Sequence, residues 1–100
     1  MSMVKIQKTD VFAKLLRKLR DIRAKGLILA RMKKVELGSL GDHKSVGKRV
    51  SEMRIDYGPG YRIYFTRVEN VTILLLIGGD KSSQARDIKK AQELAAAIGE

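Results

Sequence analysis

The sequence contains no cysteine, no tryptophan, one proline and one histidine. Without cysteine there is no disulfide, no thiol nucleophile and no thiolate metal site. A lone histidine, His43, cannot form a two-histidine ribonuclease pair or a metal cluster, and it reads as an exposed loop residue. Acidic residues number 11 against 21 lysines and arginines and are scattered. They offer no paired carboxylates for glycoside hydrolysis and no cluster for a nuclease metal. The longest apolar run, Val71 to Ile77, is far too short to span a bilayer, and lysines and aspartates interrupt the first 25 residues, so no signal peptide is expected. A cytoplasmic protein of bacterial or phage origin is the expectation, with no membrane partner. The glycines build no cofactor loop either. GPG at 58–60 precedes a strand rather than a helix, and GGDKSS at 78–83 lacks Walker spacing. Neither a metal nor a small-molecule cofactor is implied.

What is present is positive charge. The net is +10, and residues 1–50 carry all of the excess, with 14 Lys/Arg against 4 Asp/Glu; residues 51–100 hold 7 of each. Such asymmetry points to a polyanion or an acidic protein as partner. A chain of 100 residues with 44% apolar composition suits one small domain spanning 1–100.

Residues 3–8 alternate like a short strand, and Thr9 or Asp10 then caps a helix whose apolar positions are Phe12, Leu15, Leu16, Leu19 and Ile22. Asp21 is placed to cap a second helix, with Leu27, Ile28, Met32 and Val35 inward, ending near Leu37 at a C-cap glycine, Gly38. Together they predict a basic helical hairpin. Residues 38–43 form a loop. Val50 to Ile55 alternates, with Met53 and Ile55 on one face and Glu52 and Arg54 on the other, and Gly47 marks a bulge or turn before it. The turn DYGPG leads to a strand, Tyr61 to Arg67, with Tyr61, Ile63 and Phe65 on one face and Arg62, Tyr64 and Thr66 on the other. Val71 to Gly78 is apolar on both faces and predicts a buried central strand. The tail from Ser82 or Ser83 to Ile98 predicts a helix with Ile88, Ala91, Leu94, Ala95 and Ile98 inward. The fold class is α+β, with a mainly antiparallel sheet of four or five strands.

One sheet face thus carries Arg54, Arg62 and Tyr64, with Glu52 among them. Lys44 and Lys48 precede the hairpin, and Lys81 follows the apolar strand at a turn where Ser82 and Ser83 cap the last helix. These groups suit a phosphate; an Arg–Glu pair on a solvated sheet is the alternative.

The run GD-K-VG at 41–47, E-RI at 52–55, GPGYRIYF at 58–65 and GGDKSSQ-RDI at 78–88, with T-x-x-F at 9–12 and LRKLRD at 16–21, resembles the HigB-like addiction-module killer proteins of the RelE/ParE toxin superfamily. The resemblance covers nearly the whole chain. It implies a RelE-like fold and the toxin half of a toxin–antitoxin pair. It implies a ribosome-dependent, metal-independent mRNA endoribonuclease, in which the ribose 2′-OH attacks the adjacent phosphate. Arg62 would match the arginine of the family's Tyr-Arg strand motif. Arg54 or Lys81 would supply the second cation, and Tyr64 would stack on a base or orient the 2′-OH. Lys14, Arg17, Lys18, Arg20, Arg23, Lys25, Lys44 and Lys48 would dock on ribosomal RNA. The implied partners are the ribosome with its mRNA and a small helix-turn-helix, HigA-like antitoxin, expected to block A-site entry by contacts on the basic N-terminal helices. A ParE-like toxin that inhibits DNA gyrase without cutting RNA is the alternative.

Overall fold

The computed structural model describes residues 3–69 and 72–98. The elements are β1 (Lys5–Lys8), α1 (Asp10–Lys18), α2 (Ile22–Glu36), β2 (His43–Gly47), β3 (Val50–Ile55), β4 (Tyr61–Glu69), β5 (Thr72–Gly79), a single 3-10 turn (Lys81–Ser83) and α3 (Gln84–Ile98). The five strands form one sheet in the order β1-β5-β4-β3-β2. Only β1 runs parallel to its neighbour, and the other pairings are antiparallel. The α+β expectation and the mainly antiparallel sheet hold. No helix among the described residues is long and apolar enough to cross a membrane.

Local chemistry accounts for the helix boundaries. The Thr9 hydroxyl accepts from the Phe12 amide at 3.0 Å, and the Asp21 carboxylate from the Ala24 amide at 3.0 Å, so each satisfies a free donor of the first turn. α1 therefore stops at Lys18 and α2 restarts after Asp21. That break resets the helical phase. Ile22, expected on the apolar stripe of the first helix, instead opens α2 and is 85% exposed. Gly38, at φ 98°, ends α2 in the left-handed conformation expected of it.

The sheet has a buried layer on each side. α1 and α2 cover one face, where Phe12, Ile28 and Val35 pack on Met53, Ile55, Ile63, Phe65, Ile73 and Leu75. α3 covers the other, where Ala91 and Ala95 pack on Val50, Tyr64 and Leu76. Small residues on α3 let the helix lie close to the sheet. β5 is apolar on both faces for this reason, although β4 rather than β5 is the middle strand. The expected start of β5 at Val71 lies outside the described residues. His43, read from sequence as a loop residue, begins β2.

β2 and β3 are joined by two residues, Lys48 and Arg49, at φ 52° and 67°. Both central residues of such a tight hairpin need positive φ, a conformation that costs a side-chain-bearing residue about 1–2 kcal/mol. Lys48→Gly is expected to raise the melting temperature by roughly 4–8 °C, for about 1 kcal/mol gained. An unchanged or lower melting temperature would show that this turn stores no strain.

Candidate functional site

Arg54 and Arg62 are direct partners in the β3–β4 ladder and therefore point to the same face. They stand where both strands end, beside the loop 56–60. That loop needs glycine at position 60 for two reasons. Its φ is 80°, and a Cβ there would press to 3.1 Å from Arg62 Nη1. The Gly60 carbonyl accepts from Arg62 Nη1 at 2.7 Å. The Lys81 amide donates to Pro59 O at 3.3 Å, which carries the start of the 3-10 turn against the same loop. Arg54, Arg62 and Lys81 thus line one open cleft of about 470 Å³, with Asp42, Asp56 and the backbone of 58–60.

The three cations differ in how they are held. The Arg54 side chain is 41% exposed and pairs with Asp42 at 3.4 Å, a surface pair of little energetic weight. Lys81 is exposed. The Arg62 side chain is only 10% exposed, and behind it lies a fully buried carboxylate, Glu52, whose Oε2 is 3.6 Å from Arg62 Nε. The same Oε2 accepts from the Tyr64 hydroxyl at 3.0 Å and from Gln84 Nε2 at 2.8 Å. Burial, and then the hydrogen bond to Glu52, push the Tyr64 phenol well above its ordinary range, so it remains a protonated donor. Arg62 Nη2 makes no hydrogen bond among the described residues, and Nε none of normal length. The guanidinium is fixed from behind and keeps donors for a ligand.

This geometry corrects one expectation. The face carrying Arg62 and Tyr64 is not an open surface, because α3 covers most of it. Tyr64 is fully buried, so its ring offers no plane for base stacking and its hydroxyl is committed to Glu52. Along the β3–β4 pairing, it is the Arg54–Arg62 end of this face that reaches solvent.

The other expected contacts lie apart from the cleft. Lys44 pairs with Glu52 across β2–β3 but is exposed on the edge strand, and Lys48 sits at the hairpin tip. Lys14, Arg17, Lys18, Arg20 and Arg23 are exposed along α1 and the start of α2, and Lys25 is half-buried. The Arg23 guanidinium lies 5.7 Å from the Tyr57 ring centroid, and the Tyr57 hydroxyl donates to Asp21. His43 is exposed on the opposite face, its ring 6.5 Å from that of Phe65. Among the described residues no group of three histidines or carboxylates could hold a metal ion.

Sequence reasoning missed Asp42, Asp56 and Gln84 as neighbours of these cations. Gln84 closes the run GGDKSSQ, and that was its only signal. The cap of the final helical segment also differs from expectation. Asp80, not a serine, accepts from the Ser82 amide at 2.9 Å, and Ser83 completes a capping box. The Ser82 hydroxyl also donates to that carboxylate at 2.5 Å, and it, with the amide, holds the Asp80 carboxyl below its usual range.

The segment's attachment to the sheet depends on Gly79. A Cβ there would overlap the Asp87 carboxylate and approach Ser83 Oγ to 2.8 Å, where Ser83 donates to Asp87. Gly79→Ala is expected to cost about 3 kcal/mol, because α3 must move off the sheet. Urea unfolding would measure it, and a loss below about 0.5 kcal/mol would mean that α3 shifts freely to make room.

The architecture is that of the RelE toxin fold. Over the full length of both chains it is similar to a free-state E. coli toxin RelE with two arginines replaced by alanine, at TM-score 0.72 and 14% identity. It is also similar, over 77% of this chain and 95% of that one, to a chain of the intact E. coli RelBE toxin–antitoxin complex, at TM-score 0.59 and 16% identity. In sequence, the chain belongs to one family with an uncharacterized protein of Haemophilus influenzae, 46% identical over 96 residues, which are 96% of this chain and 97% of that protein. No family profile matches.

Proposed function

We propose that this chain is the toxin of a toxin–antitoxin pair, of the HigB-like branch, and that it inhibits translation by cutting mRNA in the ribosomal A site. The observation that carries the reading is the meeting of Arg54, Arg62 and Lys81 in one cleft of a RelE-type fold. Attack of a ribose 2′-OH on the adjacent phosphate builds negative charge on the phosphoryl oxygens and then on the departing 5′ oxygen. The bond from phosphorus to the 2′ oxygen forms, the bond to the 5′ oxygen breaks, and a 2′,3′-cyclic phosphate and a 5′-OH result. The free donors of Arg62 suit the phosphoryl oxygens, since a planar fork matches two oxygens at once. Lys81, on an exposed flexible stem, suits the leaving oxygen, and Arg54 adds a second guanidinium. Glu52 touches no substrate in this reading; with Tyr64 and Gln84 it positions Arg62. The exposed cations of α1 and α2, with Lys44 and Lys48, are the ribosomal RNA contacts. The partner that restrains the toxin is a helix-turn-helix, HigA-like antitoxin, and the site of action is the cytoplasm.

Primer extension on cellular mRNA after induction of the protein tests the reading. Cuts at discrete positions within translated frames are expected. Intact mRNA with altered DNA supercoiling would replace it with the gyrase-inhibitor reading.

A further inference from the structure

β1 pairs with β5 only from Thr72 to Leu75. At that point β5 carries an extra residue, Leu76, as its register against β4 passes from Phe65↔Leu75 to Tyr64↔Ile77. Thr9 closes the step, its amide donating to Leu75 O at 3.0 Å and its hydroxyl to Leu76 O at 2.7 Å. Beyond it, among the described residues, Ile77, Gly78 and Gly79 have a strand partner on the β4 side alone, so this end of β5 is a sheet edge. A groove of about 510 Å³ runs along that edge. Phe12, Leu15 and Leu19 of α1 wall it from one face of the sheet, and Arg86 and Lys90 of α3 stand on the other side. The two glycines leave its floor without side chains.

A strand edge between apolar walls is a template for another extended chain, because its backbone donors and acceptors await a partner. A docked helix would satisfy its own backbone and leave this edge unpaired. A second copy of this chain is disfavoured by its own net charge of +10. The cations at the groove face solvent: the Arg86 side chain is 82% exposed, with a 3.9 Å surface contact to Asp87 of little energetic weight, and Lys90 is exposed. The two carboxylates at the groove are already engaged, Asp80 with Ser82 and Asp87 with Ser83.

We propose that this groove binds an extended segment of an acidic partner protein, added as a strand to the β5 edge. Its apolar side chains lie against Phe12, Leu15 and Leu19, and its carboxylates, on the alternate positions, pair with Arg86 and Lys90. Arg62 lines both this groove and the cation cleft. An occupant therefore reaches the arginine of the cleft from its other side. Under the toxin reading that occupant is the neutralising segment of the antitoxin, but binding at the groove does not require that reading.

The test uses the full chain and three synthetic peptides: one alternating valine and glutamate, its valine–lysine counterpart, and the valine–glutamate peptide with alternate backbone nitrogens methylated. Amide and methyl NMR reads the site, and fluorescence anisotropy reads the affinity. The valine–glutamate peptide is expected to bind, with shifts centred on Ile77 to Gly79 and on the Leu15 and Leu19 methyls. N-methylation, the lysine peptide and the Leu15→Glu variant should each weaken binding roughly tenfold or more. The peptide arms need no variant, so they decide the matter even if Leu15→Glu fails to fold. Absence of binding, equal binding of the methylated peptide, or shifts confined to Arg54 and Lys81 would overturn the proposal. A protein that binds the peptide but leaves mRNA intact would keep the groove and lose the mRNA-cleavage reading. One that cuts mRNA and ignores every peptide would do the reverse.

Discussion

Arg62→Lys is expected to leave a folded protein that cleaves ribosome-bound mRNA about a hundredfold more slowly, the usual cost of removing one transition-state donor. Lysine keeps a positive charge opposite the buried Glu52 carboxylate and removes the planar fork. Alanine is the poorer test. Glu52 is fully buried, and taking away its cation leaves an uncompensated charge worth about 3–5 kcal/mol. That is a large share of the stability of a domain this size. A non-toxic Arg62→Ala protein would therefore report unfolding as readily as impaired chemistry. Glu52→Gln separates the two. It removes the charge but keeps an acceptor for Tyr64, and the cation left behind, unlike Glu52, opens on the cleft where water reaches it, so the fold should persist while Arg62 loses its anchor. The expected result is a lower cleavage rate at saturating ribosome, with apparent affinity unchanged and a melting temperature within a few degrees of the parent. A parental cleavage rate in Arg62→Lys would remove Arg62 from the chemistry.

The strands and helices were legible because their signals are local. Thr9 and Asp21 stand where side-chain caps belong, Gly38 where a left-handed residue belongs, and the alternation through 50–55 and 61–67 assigns each residue to a face. Alternation cannot say what covers a face. Arg62 and Tyr64 follow the same pattern, yet Tyr64 lies under α3 and Arg62 at the margin. That difference comes from Ala91 and Ala95, some thirty residues later, whose small side chains bring the helix down onto Tyr64. The grouping of Arg54, Arg62 and Lys81 was legible as a shared sheet face followed by a turn. Asp42 and Asp56 were not, because loop residues carry no periodicity and reach the cleft only through tertiary packing. Arg31 is a further case. It reads as one more cation on a basic helix. Its guanidinium instead donates to the carbonyls of Leu40, Asp42 and Arg54, which pins the 38–42 loop beside the end of β3. Not every charge in the basic half is therefore free for a polyanion.

The same distinction governs ribosome binding. Lys14, Arg17, Lys18 and Arg20 are exposed and make no ion pair among the described residues. Arg31 holds a loop, Arg23 lies over Tyr57 beside Asp21, and Lys25 is half-buried, so the first four give the cleaner test. Reversing the first four to glutamate is expected to weaken co-sedimentation with ribosomes by on the order of 10³-fold at low salt. The slope of log affinity against log salt should flatten by about 0.7–0.9 for each phosphate that is no longer neutralised. Stability should fall much less. Arg17 and Lys18 occupy the last turn of α1, where a cation complements the helix dipole, and each reversal there costs about 0.3–1 kcal/mol. The cleft residues are untouched, so a ribosome-free assay on a short RNA would show the same low activity in both proteins. If the reversed protein sediments like the parent across the salt series, the charge of α1 is only a solvated surface. The docking contacts would then have to come from the β2–β3 hairpin, where Lys44 and Lys48 remain.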